Sequence, residues 1–167
     1  MKKIKLNNTK DKYVLVDDED FSELNKTIWT YSESNKLPYV VRTKMMGGKV
    51  KFILMHRQIM GLISSSRKIG VDHINHDRLD NRKSNLRLCN QQQNCSNNTR
   101  IFKNKKFKYK GVEFRGEGRS KPWTASKGYK GKLLHLGYFK TIEEAAEAFN
   151  KKSLELSGEF AVLNVIN

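Results

Sequence analysis

The sequence has few cysteines, few acidic residues and no long apolar run. Only Cys89 and Cys95 are cysteines among 167 residues, which is too few for a disulfide framework, and their spacing fits no common zinc pair. No stretch approaches the roughly 18 apolar residues of a membrane span. No apolar segment follows the basic N-terminus, so a secretory signal is not expected. These absences predict two free thiols in a reducing compartment.

Charge of one sign dominates the chain. Lysine and arginine number 33 against 17 acidic residues, a net charge of +16. Such an excess repels itself unless a polyanion neutralises it. Residues 31–70 carry eight basic and one acidic residue, and residues 101–140 carry twelve and two. Nucleic acid lying across these two regions is the first expectation. An anionic membrane is the rival, but no long amphipathic helix with a lysine-lined face is found.

The N-terminal region, residues 1–54, is expected to be a β-rich unit. Residues 12–18 suit a strand that ends at acidic residues able to cap the helix expected at 18–25. Residues 38–57 hold two apolar runs around Gly47 and Gly48, which predicts a hairpin. A short helix is expected to follow and to close near Gly61. His56 lies in it, and we expect a packing or capping role.

The C-terminal region, residues 109–167, combines strand and helix patterns. Thr141 and Glu144 form a capping box ahead of a helix with apolar residues on one face. Apolar and polar residues alternate in three segments before it, which predicts an antiparallel meander covered on one face by the helix. The other face is polar and basic, so it suits a DNA groove or is simply solvated. The three segments are 109–115, 122–128 and 132–139.

The motifs of this region resemble a known DNA-binding domain. The Y-K-G-V start, W-T-A, L-G-Y-F and E-E-A-A-E-A-F are similar to the ethylene-response-factor (Apetala-type) domain over Tyr109–Asn164. That family lays its three-stranded sheet in the major groove. Plant-type members usually have arginine, arginine and tryptophan at the positions of Glu113, Leu133 and His135, so the resemblance implies no particular target. It implies DNA contacts by Lys110, Glu113, Arg115, Thr124, Ser126, Leu133 and His135.

A second polar stretch, VDHINHDRLDNRKSNLRLCNQQQNCSN, lies at Val71–Asn97. Breaking a phosphodiester bond requires a base to activate water and positive charge to stabilise the phosphate. A hard divalent cation supplies that charge and prefers oxygen ligands. Asp72 offers a carboxylate, Asn94 an amide oxygen and His73 a base. The plainer alternative is a polar loop with no chemistry.

The pattern DHIN, LDNRKSNLR and CNQQQN resembles the HNH endonucleases, whose ββα-metal motif holds the site. The resemblance implies that Asp72 and Asn94 are metal ligands and His73 the general base. Asn85 would brace the loop between two strands through hydrogen bonds to backbone. An asparagine in place of the more frequent histidine at position 94 favours one magnesium or manganese ion per active site over zinc. Arg87 is expected to contact phosphate.

Over nearly its whole length the chain looks like phage and mobile-intron HNH endonucleases. The fold class implied is α+β: a β-rich unit (1–54), an HNH nuclease region (55–98), a basic linker (99–108) and a DNA-binding domain (109–167). The linker either orders on a phosphate backbone or stays a solvated loop.

The function implied is a homing-type endonuclease that cuts double-stranded DNA. We expect a monomer with no cofactor beyond the metal and no membrane association. Its expected location is the cytoplasm or nucleoid of a phage-infected bacterial host. A DNA-binding regulator with a vestigial nuclease fold, and a nonspecific nuclease or toxin, are the alternatives.

Overall fold

The computed structural model describes residues 1–34, 37–63, 69–96 and 108–166, without the side chains of residues 34, 95 and 96. The chain forms two compact units, Met1–Asn90 and Gln91–Asn167. The first unit therefore contains both the expected β-rich unit and most of the expected nuclease region. All but the last residue of the expected linker, 99–108, lies outside the described residues. No helix in the described ranges is long and apolar enough to cross a membrane.

The first unit begins with two small antiparallel sheets. Strand β1 (Lys2–Lys5) pairs with β2 (Tyr13–Val16), and β4 (Leu37–Met46) lies between β3 (Thr30–Ser34) and β5 (Lys49–Leu54). Gly47 and Gly48 join β4 to β5 with φ of 57° and 71°, as the type I′ hairpin turn requires. The sequence pattern predicts β2, the hairpin and both helices, but not β1 or β3. The helices are α1 (Asp18–Leu24) and α2 (Met55–Ile59).

Two further strands carry the polar stretch. Strand β6 (Gly70–His73) pairs antiparallel with β7 (Leu86–Cys89), and a 3-10 turn (Lys83–Asn85) precedes β7. The connection between them is fixed to β2, because the N–H of Leu15 donates to the carbonyl of Leu79 at 2.8 Å. The side chain of Leu79 packs against the core of the unit. This connection is therefore part of the folded body of the unit. The buried core residues are Ile4, Leu6, Val14, Val16, Leu24, Trp29, Val40 and Met55.

The acidic residues before α1 act differently from expectation. Asp17 occupies the N-cap position, but its side chain makes no capping hydrogen bond. Its carboxylate instead accepts the backbone N–H of Lys83 at 2.7 Å. The ammonium group of Lys83 also lies 2.6 Å from Glu19. The acidic run thus holds the 3-10 turn before β7, a long-range contact that a local capping pattern cannot indicate.

The second unit is a sheet and a helix preceded by a short helix. The sheet consists of β8 (Val112–Phe114), β9 (Trp123–Tyr129) and β10 (Lys132–Phe139) in that order, all antiparallel, with a bulge between His135 and Gly137. The capping box is formed, since the N–H of Glu144 donates to Thr141 Oγ1 at 3.1 Å. Ala145 and Ala146 are fully buried against Val112 and Ala125. The helices are α3 (Gln91–Ser96) and α4 (Ile142–Ser157).

The conformation and surroundings of Gly111 explain why the Y-K-G-V motif has a glycine at this position. Its φ is 74°, a conformation that residues with a side chain rarely adopt. A Cβ atom there would lie 2.2 Å from Cδ2 of Phe149 and 2.6 Å from the carbonyl oxygen of Ser126. The missing side chain therefore lets the chain pass closely between helix α4 and strand β9.

Candidate active site

Asp72 and His73 end strand β6 and, as neighbours in a strand, point to opposite faces. Asp72 is 8% exposed and lies across the ladder from Arg87. Nε and Nη2 of Arg87 donate to Asp72 Oδ2 at 3.1 and 2.9 Å. A buried carboxylate needs such a partner. Arg87, expected on phosphate, thus has its guanidinium against the expected metal ligand, and its contact with phosphate stays a prediction.

His73, the expected general base, is 6% exposed. Its Nε2 lies 3.4 Å from Oδ1 of Asn81. Burial lowers the pKa of His73, while the contact with Asn81 opposes that shift. The ring is therefore neutral at neutral pH and able to accept a proton.

His56 of helix α2 packs against His73. The two ring centroids are 5.1 Å apart and the planes cross at 76°, an edge-to-face contact. His56 is 8% exposed. Burial, followed by repulsion from His73, Arg78 and Arg57, lowers its pKa to about 3. His56 thus packs, as the sequence suggests, but no local spacing pattern points to His73 as its neighbour.

Asn85 ties together the two ends of the connection between β6 and β7. Its Oδ1 accepts the N–H of Asn75 at 3.0 Å, and its Nδ2 donates to the carbonyl of Asp80 at 2.8 Å. The N–H of Ile74 donates to the backbone carbonyl of Asn85 at 2.9 Å. Asp80 is buried and paired with Arg82, whose guanidinium holds the pKa of that carboxyl below its usual range. These bonds are of the kind that a structural brace requires.

The donor chemistry of Asp72 fits a hard divalent cation. Magnesium is usually held by one or two carboxylates together with water and substrate phosphates, so a complete protein cage is not required. In the part of the chain that the structure describes, no cluster of three or more histidine, cysteine, aspartate or glutamate residues could hold a metal. The expected second ligand, Asn94, is an exposed residue of α3 in the second unit. Its pairing with Asp72 stays a prediction.

The segment that carries these residues matches a known protein family, and nearly the whole chain matches a known protein. A family model described as HNH endonuclease matches residues 68–95, which include Asp72, His73, Asn85 and Asn94. A protein named as an uncharacterized HNH endonuclease of Acanthamoeba polyphaga mimivirus is 31% identical over 173 aligned positions. The alignment covers 96% of this chain and 88% of that relative. The chain belongs to the HNH endonuclease family. It is therefore a nuclease enzyme. No solved structure is significantly similar to the chain.

The second unit of this HNH endonuclease has a sheet face opposite the one that helix α4 covers. The ladder pairs Ser126 with His135 and Thr124 with Tyr138, which places these four side chains on one face. The rings of His135 and Tyr138 are 4.6 Å apart. The guanidinium of Arg115 lies 4.5 Å from the ring centre of Tyr138. Tyr138 is absent from the predicted contacts, because the family motif places it in the L-G-Y-F signature and not among the reading positions.

Lys110 does not belong to this exposed face. The resemblance places it among the DNA contacts, but the structure leaves it only 7% exposed. Its backbone N–H donates to Oδ1 of Asn164 at 2.6 Å, and its carbonyl accepts from Nδ2 of the same residue at 3.1 Å. Burial, with repulsion from Lys127, lowers the pKa of Lys110 to about 8. Its surroundings therefore suit a role in folding the module better than a direct contact with DNA.

Proposed function

We propose that this endonuclease hydrolyses phosphodiester bonds of double-stranded DNA, with one divalent cation and His73 as general base. The observation that carries the proposal is the pair Asp72 and His73. They are adjacent and nearly buried at the end of β6, inside the segment that matches the family model. A cation ligand and a neutral imidazole on neighbouring residues are the two components that hydrolysis of a phosphodiester needs.

His73 would take a proton from the attacking water. Its depressed pKa keeps the imidazole neutral before the reaction. Once protonated, the ring would be stabilised by the contact with Asn81 and by the negative charge of Asp77, both of which act to raise its pKa. The surroundings of His73 thus support both states that a general base passes through.

Asp72 would hold magnesium or manganese, with Asn94 as the second ligand that the resemblance implies. When bound, the cation supplies positive charge to the phosphate and the leaving oxygen. Arg87 shares Oδ2 of Asp72 and balances the charge of the carboxylate in this buried position. Arg87 would then have to share or release that oxygen when a cation binds.

The sheet face opposite helix α4 in the second unit would read DNA, as in the ethylene-response-factor type of domain. Arg115, Thr124, Ser126 and His135 offer donors and acceptors there, and Tyr138 adds a ring. A separate reading module would direct a nuclease site of low selectivity to one target, which is the homing type of activity. A monomer with one such site would nick one strand per event. The bacterial setting expected from the sequence stays a prediction.

A DNA-binding regulator with a vestigial nuclease site is the second candidate. The ion pair between Asp72 and Arg87 favours it, because an arginine that permanently held the carboxylate would exclude the cation. This candidate predicts DNA binding without cleavage under every metal condition.

Cleavage of supercoiled plasmid and long DNA separates the two candidates. The full chain is incubated with magnesium, with manganese, or with a chelator. We expect nicked products with either metal and none with the chelator. An Asp72→Asn variant should bind DNA as the wild type does but cut far more slowly. A gel shift without cleavage across several divalent ions would favour the regulator instead.

A further inference from the structure

Arg78 lies in the connection between β6 and β7, and its guanidinium has an unused hydrogen-bond donor. The guanidinium carbon lies 4.4 Å from the centre of the Tyr39 ring in β4, a cation–π contact that restrains its position. Nη1 is buried, and within the described part of the chain it has no hydrogen-bond partner. The backbone is held as well, because Nδ2 of Asn81 donates to the carbonyl of Arg78 at 3.1 Å. Arg78 is thus a restrained cation with a donor left for an anion.

The other arginines of the polar stretch are paired with carboxylates. Arg87 donates to Asp72, and Arg82 donates from Nε and Nη2 to Asp80 at 2.8 and 2.6 Å. Among the residues that the structure describes, no carboxylate forms an ion pair with Arg78. A buried donor without a partner costs stability in the folded chain. An anionic group of a bound molecule would satisfy that donor and balance the charge.

Arg78 also lies beside the histidine that is proposed as the general base. The two residues share Asn81, whose Nδ2 contacts the carbonyl of Arg78 and whose Oδ1 lies 3.4 Å from Nε2 of His73. After burial, which is the main cause, the charge of Arg78 also lowers the pKa of both His73 and His56. A water activated by His73 must lie about 3 to 3.5 Å from the phosphorus atom that it attacks. The scissile phosphate must therefore lie close to His73, in the neighbourhood of Arg78.

We propose that Arg78 is a catalytic residue that binds a non-bridging oxygen of the scissile phosphate through its guanidinium. This inference rests on the proposed hydrolysis with His73 as the base. As the oxygen of water bonds to phosphorus and its proton passes to His73, the bond to the leaving oxygen breaks and that oxygen keeps the electron pair. A restrained guanidinium, whose planar fork matches phosphate, stabilises the charge that develops on the phosphate oxygens. The guanidinium of Arg87 lies against Asp72, so Arg78 is the better placed of the two for this contact.

Single-turnover cleavage of DNA by variants of Arg78 measures the contribution of this contact. Removal of one donor to developing charge typically slows a reaction about 100- to 1,000-fold, and we expect a loss of that size for Arg78→Gln. DNA affinity should change little, because one phosphate contact is a small part of the affinity of a chain with 33 basic residues. Arg78→Lys keeps the charge but not the fork, so it should recover only part of the rate. The matched control is Arg42→Lys, since Arg42 also lies near an aromatic ring of the first unit, 5.6 Å from the centre of Trp29, and this variant should cut as the wild type does.

The pH at which cleavage is measured separates a phosphate contact from an effect on the histidine alone. If Arg78 only kept His73 neutral, Arg78→Gln would raise the pKa of His73 and lose activity at low pH alone. Its rate would then equal that of the wild type well above pH 6.5, the ordinary pKa of histidine. We expect the loss to persist there, because the phosphate contact does not depend on the protonation of His73. A folded Arg78→Gln protein that cut as fast as the wild type at high pH would refute the inference.

Nitrogen-15 NMR of arginine-labelled full chain tests the contact without cleavage. The guanidinium signal of Arg78 is assigned by its loss in Arg78→Lys. Short double-stranded DNA is then added together with a chelator, so that metal-dependent cutting does not occur. We expect the signal of Arg78 to move when DNA binds, and an unmoved signal in the DNA-bound protein would overturn the inference. A signal that moves in a protein that cuts no DNA with any divalent metal would refute the proposed function alone.

Discussion

The buried histidine His56 should make the stability of the first unit strongly dependent on pH. Its pKa falls from an ordinary 6.5 to about 3 on folding, chiefly because of burial. Below pH 6.5 the unfolded chain binds a proton that the folded chain excludes. The stabilisation is thus complete above pH 6.5 and is lost as pH falls toward about 3. The slope is about 1.4 kcal/mol per pH unit, so between pH 7 and 5 about 2 kcal/mol is lost. His73, whose pKa is also lowered, adds to the loss.

Urea unfolding measured across this pH range tests the reasoning. A Trp123→Phe background leaves Trp29, which is buried in the first unit, as the one tryptophan of the chain. Its fluorescence then reports on that unit alone. His56→Phe keeps an aromatic ring but cannot be protonated, so the slope with pH should become shallower. The control is His76→Asn. His76 is exposed, and its φ of 63° is a backbone conformation that asparagine adopts readily. A flat wild-type curve, or equal slopes for wild type and His56→Phe, would refute the account of His56.

Three further predictions concern other parts of the chain. Gly111→Ala should destabilise the second unit far more than Gly118→Ala in thermal unfolding. Both glycines have positive φ, but a Cβ atom has open space only at Gly118. Thr141→Ala should cost about 1 kcal/mol through loss of the capping box, and Thr141→Ser should restore most of it. Replacing the exposed lysines of the β4–β5 hairpin with glutamine should lower the slope of log affinity for DNA against log salt by about 0.9 for each lysine that contacts a phosphate, measured by fluorescence anisotropy. If wild type and the glutamine variant bound DNA with equal affinity at every salt concentration, the hairpin would be excluded from the DNA-binding surface. These lysines are Lys44, Lys49 and Lys51.

Local patterns in the sequence locate most elements of the fold. The glycine pair at the hairpin turn, the capping box and the alternation within β10 each depend on residues a few positions apart. Strands β1 and β3 carry no such pattern. β1 is a short basic segment with one buried residue, Ile4. Its pairing with β2 decides its conformation, and that pairing is a tertiary contact.

The motif likewise places Asp72 and His73 on one short strand but cannot supply their partners. Arg87 reaches Asp72 only because the register of β6 and β7 sets them opposite each other. His56 reaches His73 from another helix, and Asn81 does so because β2 holds the connecting loop. The backbone of Lys110 is likewise bonded to Asn164, far away in the chain. Spacing in sequence cannot indicate contacts of this kind.

Single-turnover cleavage of DNA by wild type and His73→Ala is the most direct test of the account. The substrate is a site selected by cleavage from a random DNA library, with magnesium or manganese present and enzyme in excess. Loss of the general base should slow cleavage by about 100- to 10,000-fold while DNA binding is retained. His76→Asn, which replaces an exposed histidine nearby in the sequence and keeps a residue that tolerates a φ of 63°, should cut as the wild type does. Equal cleavage rates for wild type and His73→Ala would contradict the assignment of His73 as the base.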